Sequence, residues 1–224
     1  MRFSGFAMAV ASIVVLLSGS AGLASPPSHQ PAAPTADQAL QELKAGNQRE
    51  SSGHSTHPHA SSTWRFTLVS GQHPHSVVLS CADSRVAPEL VFDAGFGDIF
   101  DIRVAGNIAD DAVIASVEYA VEHLHVPVVV VMGHQKCGAV SAAAEGGTPE
   151  GHLGALITPI LPAVEKAKTL PGDRVENAVR LNVENVVAQL KASEPVLAAH
   201  VKSGDLKIVG AVYSLETGKV SWLP

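Results

Sequence analysis

The run of residues 128–132 constrains the fold more than any other stretch of the chain. All five residues are apolar, whereas a strand with one solvated face alternates apolar and polar side chains. A strand that is apolar throughout is buried on both faces, which is typical of the centre of a parallel sheet covered by helices. A shorter apolar run at residues 77–79 predicts a second buried strand of the same kind.

The pattern between and after these runs alternates strands with helices. Residues 99–105 and 206–214 predict two more strands, and a hairpin signal at 216–219 leads to an edge strand at 220–223. Helical patterns fill the intervals. The predicted fold class is therefore α/β, with a mainly parallel central β-sheet of about four parallel strands plus an antiparallel edge strand, flanked by helices.

An N-terminal helical arm precedes this alternation. Residues 35–38 read as a capping box, and Ala39, Leu40 and Leu43 give an apolar helical stripe. Gly46 and the asparagine after it are expected to end this helix.

The first residues have the layout of a cleavable secretory signal, predicted at residues 1–24. Arg2 precedes an apolar run over residues 6–17 that is too short to span a bilayer comfortably. Small residues ending at Ala24 offer a cleavage site. The n-region carries a single charge, so a retained anchor is the alternative. We expect a periplasmic or secreted protein, without stable membrane insertion once the signal is cleaved.

Composition separates a short leader from the folded domain and argues against nucleic acid as a partner. Residues 25–34 are rich in proline and alanine and predict a disordered leader, while residues 35–224 are long enough for one domain with a sizeable core. The formal net charge of −6 argues against nucleic-acid binding, which depends largely on basic patches.

Both buried strands are followed by side chains that bind metals. Cys81 follows the first run, and His134 and Cys137 follow the second. Open α/β sheets place their ligand crevices at the carboxyl ends of the strands. Zinc takes thiolate and imidazole ligands, and a catalytic zinc site keeps one position open beside three protein ligands. The sequence therefore predicts one zinc ion per chain at these residues.

A disulfide is the other interpretation of two cysteines in an oxidising compartment. It would need only two sulfur atoms in register. Each cysteine here also has further ligand-type or charged side chains beside it at a strand end, including Asp83, Arg85 and His134. This arrangement favours a metal site.

Two motifs resemble the zinc signature of the β-class carbonic anhydrases, and the similarity runs over about residues 72–138. They are Cys81-x-Asp83-x-Arg85 and Gly133-His134-x-x-Cys137-Gly138. The resemblance implies a zinc lyase that reversibly hydrates carbon dioxide to bicarbonate and a proton, with zinc-bound hydroxide as the nucleophile. It also implies that Asp83, paired with Arg85, accepts a hydrogen bond from the hydroxide. Released from Arg85, the aspartate could occupy the fourth zinc position and close the site.

Further matched positions imply the plant-like, open-site subtype of the family and name its substrate-binding residues. These are Gln72, Phe100, Ala105, Tyr119 and Gly138. Ala105 stands where valine is usual, and Val78 stands where the closing subtype carries a tryptophan, so no bicarbonate switch is expected. The plainer alternatives are core packing for Phe100 and Tyr119, a loop position for Gln72, and a structural ion pair for Asp83 and Arg85.

The resemblance also implies an assembly. Members pack as a homodimer or a multiple of dimers, with N-terminal helices embracing a neighbour and active sites at the subunit boundary. The stripe of residues 35–47 would be the embracing arm.

The histidines outside the zinc motif have no single interpretation. His54, His57 and His59 could bind a metal or relay protons, or could lie in a solvated loop. His73 and His75 are further candidates for the relay, which buffer could also perform.

The pH dependence follows from the ligand set. Three neutral histidines lower the pKa of zinc-bound water to about 7 in the established carbonic anhydrase example. Two thiolates would cancel the formal charge of the ion, so we expect activity to rise toward alkaline pH.

Two rival functions remain open from the sequence. A carbon disulfide hydrolase of the same fold would share the ligand pattern. A non-catalytic domain, stabilised by zinc or by a bond between Cys81 and Cys137, would use the same residues without turnover.

Overall fold

A five-stranded sheet organises the computed structural model, which describes residues 34–224. The predicted signal lies outside the described residues, as does the predicted leader except for Pro34. The strands in chain order are β1 (Ser76–Ser80), β2 (Ile99–Arg103), β3 (Val128–His134), β4 (Lys207–Tyr213) and β5 (Val220–Trp222).

The strand order is β2-β1-β3-β4-β5, with β1 to β4 parallel and β5 antiparallel at one edge. Strand β3 is central, and all seven of its residues are buried. The predicted fold class, including its antiparallel edge strand, is therefore confirmed.

Helices cover both faces of the sheet. They are α1 (Ala36–Ser51), α2 (Ser62–Thr67), α3 (Pro88–Val91), α4 (Asp111–Leu124), α5 (Gly138–Glu145), α6 (Gly154–Ala167), α7 (Arg174–Lys191) and α8 (Leu197–Ser203). None of the helices in the described range is long and apolar enough to cross a membrane.

Alternate residues of the strands feed two apolar cores, as the two-residue period of a strand requires. Val78 and Val130 pack with residues of α1, α5 and α6. Val77 and Val129 pack on the other face with residues of α4 and α8. Helix α7 contributes to both cores, through Val179 to the first and Val183 to the second.

The prediction that Gly46 and Asn47 end the first helix is wrong, because α1 continues to Ser51. A Cβ atom at position 46 would overlap the carbonyl oxygen of Phe92, so the glycine permits close approach of two backbones. The Asn47 amide nitrogen donates to the carbonyl of Val91 at 3.0 Å and to that of Gly218 at 2.8 Å. Gly46 and Asn47 therefore pack α1 against other segments of the same chain.

The apolar stripe of α1 is also used within the chain. Ala39 is 0% and Leu43 1% exposed, and both belong to the first core. These two side chains are therefore packed within their own chain, and the embracing role of the stripe at residues 35–47 stays a prediction.

The second strand ends earlier than predicted. Residues 99–105 were expected to be extended, but β2 ends at Arg103 and a short 3-10 turn occupies Ala105–Asn107. Gly106 within this turn has φ of 74°, a left-handed value that favours glycine. The turn brings the chain back across the carboxyl end of β1, where Gly106 N–H reaches Cys81.

Candidate metal centre

Three side chains meet at the carboxyl edge of the sheet. Cys81 directly follows β1, His134 is the last residue of β3, and Cys137 directly precedes α5. Because β1 and β3 are parallel neighbours, their carboxyl ends lie side by side. Lys136, between the last two side chains, has φ of 55°, and this left-handed residue lies in the turn that separates His134 from Cys137.

The three ligand atoms have the spacing that zinc requires. The Cys81 and Cys137 sulfur atoms are 3.9 Å apart, and all three ligand atoms lie within 4.8 Å of one another. Two sulfur atoms bound tetrahedrally to one zinc ion at about 2.3 Å would be about 3.8 Å apart. The three residues are at most 4% exposed.

His134 is oriented as a neutral metal ligand. Its Nδ1 lies 2.9 Å from the carbonyl oxygen of Gln135, so Nδ1 carries the proton and donates. Its Nε2 is buried and has no hydrogen-bond partner among the residues that the structure describes. A buried lone pair of this kind, facing two sulfur atoms, fits a metal ion.

The two thiols titrate as a pair. The pKa of Cys81 is lowered to about 4, chiefly because Cys137 donates a hydrogen bond to it. The pKa of Cys137 is raised, chiefly because it is the donor of that bond. Both cysteines are free thiols, so the disulfide interpretation is not supported. Zinc binding would remove the remaining thiol proton.

Asp83 and Arg85 form a paired group beside these ligands. Arg85 donates to Asp83 from Nε at 2.9 Å, from Nη2 at 2.7 Å and from its backbone N–H at 3.0 Å. These bonds hold the pKa of Asp83 well below its usual range, mainly through the guanidinium. Oδ2 of Asp83 lies 3.9 Å from Nε2 of His134, so an ionised carboxylate borders the metal position.

Two residues that the sequence did not indicate hold the backbone at the metal centre, one after β1 and one between His134 and Cys137. Arg103 donates to the carbonyl of Cys81 at 3.1 Å and to that of Asp83 at 2.6 Å. Glu176 on α7 accepts the backbone N–H of Lys136 at 3.0 Å. The position of Arg103 at the end of the strand beside β1 could have indicated its contacts. The contact of Glu176 joins residues that are 40 positions apart, and no local pattern indicates it.

Ala105 and Gly138 lie beside the ligands. Gly138 follows Cys137, and Ala105 precedes Gly106, whose N–H donates to the Cys81 sulfur at 3.3 Å. Both line a cavity of about 420 Å³ whose other walls include Ala142, Leu156 and Ile157. These two predicted pocket residues are therefore brought together next to the metal centre.

Gln72, Phe100 and Tyr119 are not brought to the ligands of their own chain. Phe100 pairs with Val77, four residues before Cys81, which is about 13 Å along a strand. Tyr119 on α4 accompanies Phe100, with the ring centroids 6.1 Å apart, and is 47% exposed. Gln72 precedes β1 and is exposed, at the opposite end of that strand from the cysteine.

The remaining histidine cluster has separate partners. His54 Nδ1 lies 3.1 Å from Ser52 Oγ, whereas His59 binds Asp98 at 2.7 Å and stacks on Trp64. His54, His57 and His59 are not among the groups of three ligand atoms that lie within 4.8 Å of one another in the described part of the chain. Whether they relay protons stays a prediction.

A protein-family model described as carbonic anhydrase matches residues 76–220. The chain is 40% identical over 181 residues to "Carbonic anhydrase 2" of Mycobacterium tuberculosis, a match covering 79% of this chain and 87% of that protein. It is also 40% identical over 182 residues to a carbonic anhydrase of Mycolicibacterium smegmatis, covering 80% and 88% of the two chains.

Solved structures agree with these relatives. A tetrameric β-carbonic anhydrase of Sordaria macrospora superposes with a TM-score of 0.66 at 25% identity, covering 82% of this chain and 93% of that one. The β-carbonic anhydrase CafA of Aspergillus fumigatus gives a TM-score of 0.62 at 32% identity, covering 84% and 89%.

Proposed function

Since this chain belongs to the β-class carbonic anhydrase family, we propose that it is a plant-like, open-site member of it that is exported to the periplasm or secreted. Its enzymatic activity is the reversible hydration of carbon dioxide to bicarbonate and a proton. The observation that carries this function is the convergence of Cys81, His134 and Cys137 within 4.8 Å.

Cys81, His134 and Cys137 would hold a zinc ion, which would supply the Lewis acidity that activates water toward carbon dioxide. The acceptor next to that position is Oδ2 of Asp83, which its arginine partner keeps ionised. An ionised carboxylate can only accept, so Asp83 orients the attacking oxygen by taking its hydrogen bond. Gly106 N–H donates to the Cys81 sulfur and offsets part of the charge of the thiolate.

The open-site subtype is supported by the state of Asp83. Its carboxylate is held by Arg85 through both side-chain nitrogen contacts, which keeps it from the fourth ligand position. Val78 is fully buried in the first core, at the position where a tryptophan would accompany closure by bicarbonate in the other subtype.

The subunit arrangement follows from the distant pocket residues. Gln72, Phe100 and Tyr119 lie away from their own ligands, so in this proposal they line the pocket of a neighbouring subunit. A homodimer, or a multiple of dimers, would then be the smallest active unit. Ala105 and Gly138 would complete each pocket from the chain that holds the metal.

Carbon dioxide hydration by the mature chain tests the function. Stopped-flow assays of wild type and Cys81→Ser, with zinc measured per chain, should show loss of both zinc and turnover in the variant. Ser80→Ala, at the preceding residue, which supplies no metal ligand, is the matched control. Turnover retained by Cys81→Ser would refute the assignment, and running carbon disulfide in parallel separates the related hydrolase.

Export rests on the predicted signal at residues 1–24 and has its own test. Expression of the full chain in a bacterium, followed by fractionation and N-terminal sequencing, should yield protein starting at Ser25 in the periplasm or medium. Uncleaved protein retained in the cytoplasm would refute this part and leave the enzymatic activity unaffected.

A further inference from the structure

Asn182 is a buried polar residue on the apolar face of α7. It is 2% exposed and lies between Val179 and Val186 on the stripe that this helix turns toward the sheet. Burying an amide costs free energy unless it is hydrogen-bonded. The Asn182 side chain donates from Nδ2 to the carbonyl oxygen of Gly106 at 2.8 Å.

Gly106 is the residue that contacts the metal centre through its backbone. Its N–H donates to the Cys81 sulfur at 3.3 Å, and its φ of 74° lies in the left-handed region. A Cβ atom there would lie 2.6 Å from the Ile160 side chain, so the position needs glycine. Glycine has the greatest backbone freedom of any residue, and something must therefore hold the peptide in place.

We propose that Asn182 is a positioning residue for the metal centre, acting through the Gly106 backbone on the Cys81 sulfur. The bond to the Gly106 carbonyl fixes the peptide group after the glycine, and the bond to Cys81 uses the peptide group before it. Together the two bonds fix the φ and ψ angles of Gly106, which lie between these peptide groups. Without the Asn182 bond, the N–H is freer to turn away from the sulfur. A backbone donor held at the sulfur withdraws electron density from a metal thiolate and fixes its direction, as outer hydrogen bonds do in metal sites.

The chain contains a matched comparison on the same helix. Gln189 donates from Nε2 to the carbonyl of Ala109, also at 2.8 Å. The donor is seven residues after Asn182 and the acceptor three residues after Gly106. Both bonds run from an amide side chain of α7 to a backbone carbonyl of the segment that follows β2. Within the described residues, Ala109 has no hydrogen bond to a metal ligand. A purely structural role predicts the same consequences for both bonds.

The experiment compares Asn182→Leu with Gln189→Leu in the full mature chain. Each replaces an amide with an apolar side chain, and both should lower the melting temperature. Only Asn182→Leu should shift the sulfur-to-metal charge-transfer band of the cobalt(II)-substituted protein to longer wavelength, because the thiolate loses a hydrogen bond. It should also bind zinc about 10-fold more weakly in chelator competition.

The proposal would be overturned if the band and the zinc affinity of Asn182→Leu equalled those of wild type. It would also be overturned if Gln189→Leu changed both quantities by the same amount as Asn182→Leu. Asn182→Ala, which removes the donor without adding bulk, should behave as Asn182→Leu does and serves if the leucine variant does not fold. A measurement on wild type needs no variant at all. With an NMR-active cadmium isotope in the site, the Gly106 amide proton should show scalar coupling to the metal through the sulfur, and absence of coupling would overturn the proposal.

This inference deepens the proposed function because it concerns the same metal centre. The two can fail separately. If wild type binds no zinc or does not hydrate carbon dioxide, the function fails. If wild type does both and Asn182→Leu matches Gln189→Leu, only the positioning role fails.

Discussion

Arg85 binds both carboxylate oxygens of Asp83, from Nε at 2.9 Å and from Nη2 at 2.7 Å. The carboxylate is therefore ionised and also turned toward the guanidinium. A second bond from Nη2 to the carbonyl of Lys136, at 3.4 Å, links the arginine to the loop between the other two ligands. The pair sets whether Asp83 accepts a hydrogen bond beside the metal or competes for the metal itself.

Arg85→Met tests this pairing. It keeps an unbranched side chain but removes the donors, so the freed carboxylate should move to the metal, and kcat/KM should fall on the order of 10²-fold. Stopped-flow hydration and the cobalt(II) spectrum measure the two effects. Arg180→Met, which breaks the surface pair with Glu184 at 2.8 Å, is the control and should keep wild-type activity. Wild-type kcat/KM in Arg85→Met would reduce the pair to a structural contact.

The Asp93 carboxylate should contribute a part of the free energy of unfolding that is lost at acid pH. Its buried carboxylate accepts from Arg49 at 2.6 Å and from the backbone N–H groups of Thr56 and His57. Burial alone would raise its pKa, but these donors together lower it below the usual value. The stabilisation is therefore present above the unfolded pKa of about 3.9 and is lost as pH falls toward the folded pKa.

Asp93→Asn should lower the free energy of unfolding by about 1.5–3 kcal/mol at neutral pH. Urea titrations from pH 7 to strongly acid conditions, on both proteins, measure this. The difference between the two proteins should shrink as the pH falls below about 4. A difference that stays constant with pH would mean that the carboxylate charge is not what stabilises the loop.

Gly46 and Gly154 predict opposite results for the same substitution. Both are helical, but a Cβ atom at 46 would overlap the Phe92 carbonyl, whereas nothing lies within 4 Å of one at 154. Gly46→Ala should destabilise the protein by about 3 kcal/mol or more. Gly154→Ala should be neutral or stabilise by up to about 1 kcal/mol. Thermal unfolding of both variants is the measurement, and similar melting temperatures would contradict the close approach of α1 to Phe92.

Mixed oligomers test whether Gln72 acts in the neighbouring subunit. A chain with Cys81→Ser supplies no complete metal site, and a chain with Gln72→Ala supplies an impaired pocket. If the glutamine acts across the boundary, each mixed dimer gains one complete site, since the metal ligands of one chain meet the intact Gln72 of the other. Co-expressed and refolded mixtures should then exceed the activity of either variant alone. Activity equal to the average of the two would place Gln72 in its own chain's site.

The fold and the ligands were predictable because their signals are local. A short apolar run of β-branched residues favours a buried strand, and His134 and Cys137 are three residues apart in a turn that directly follows one. Cys81 could be assigned to the same place because parallel strands end at one edge of a sheet. The boundaries of β4 and β5 lie within one residue of the predicted strands at 206–214 and 220–223 for the same reason.

What could not be predicted depends on distant backbone atoms. Glycine in a helix can end it or admit a neighbour, and only the position of Phe92 shows which applies at Gly46. Asn182 and Gly106 are 76 residues apart, and an asparagine inside an apolar stripe indicates burial without naming its partner. Phe100 matched a pocket position by motif, but its register with Val77 separates it from the ligands of its own chain.

His134 is paired in register with Tyr213, and the next residue, Gln135, donates its N–H to the Tyr213 carbonyl at 2.9 Å. The backbone that carries the imidazole is thus paired with β4 at the end of the central strand β3 and does not lie in a loop. For the His134 backbone to move away from a bound ion, β3 must first separate from β4. Spontaneous demetallation should accordingly be slow, with a half-life set by the rarest opening of the sheet, and the amide of Gln135 should be among the last to exchange with deuterium.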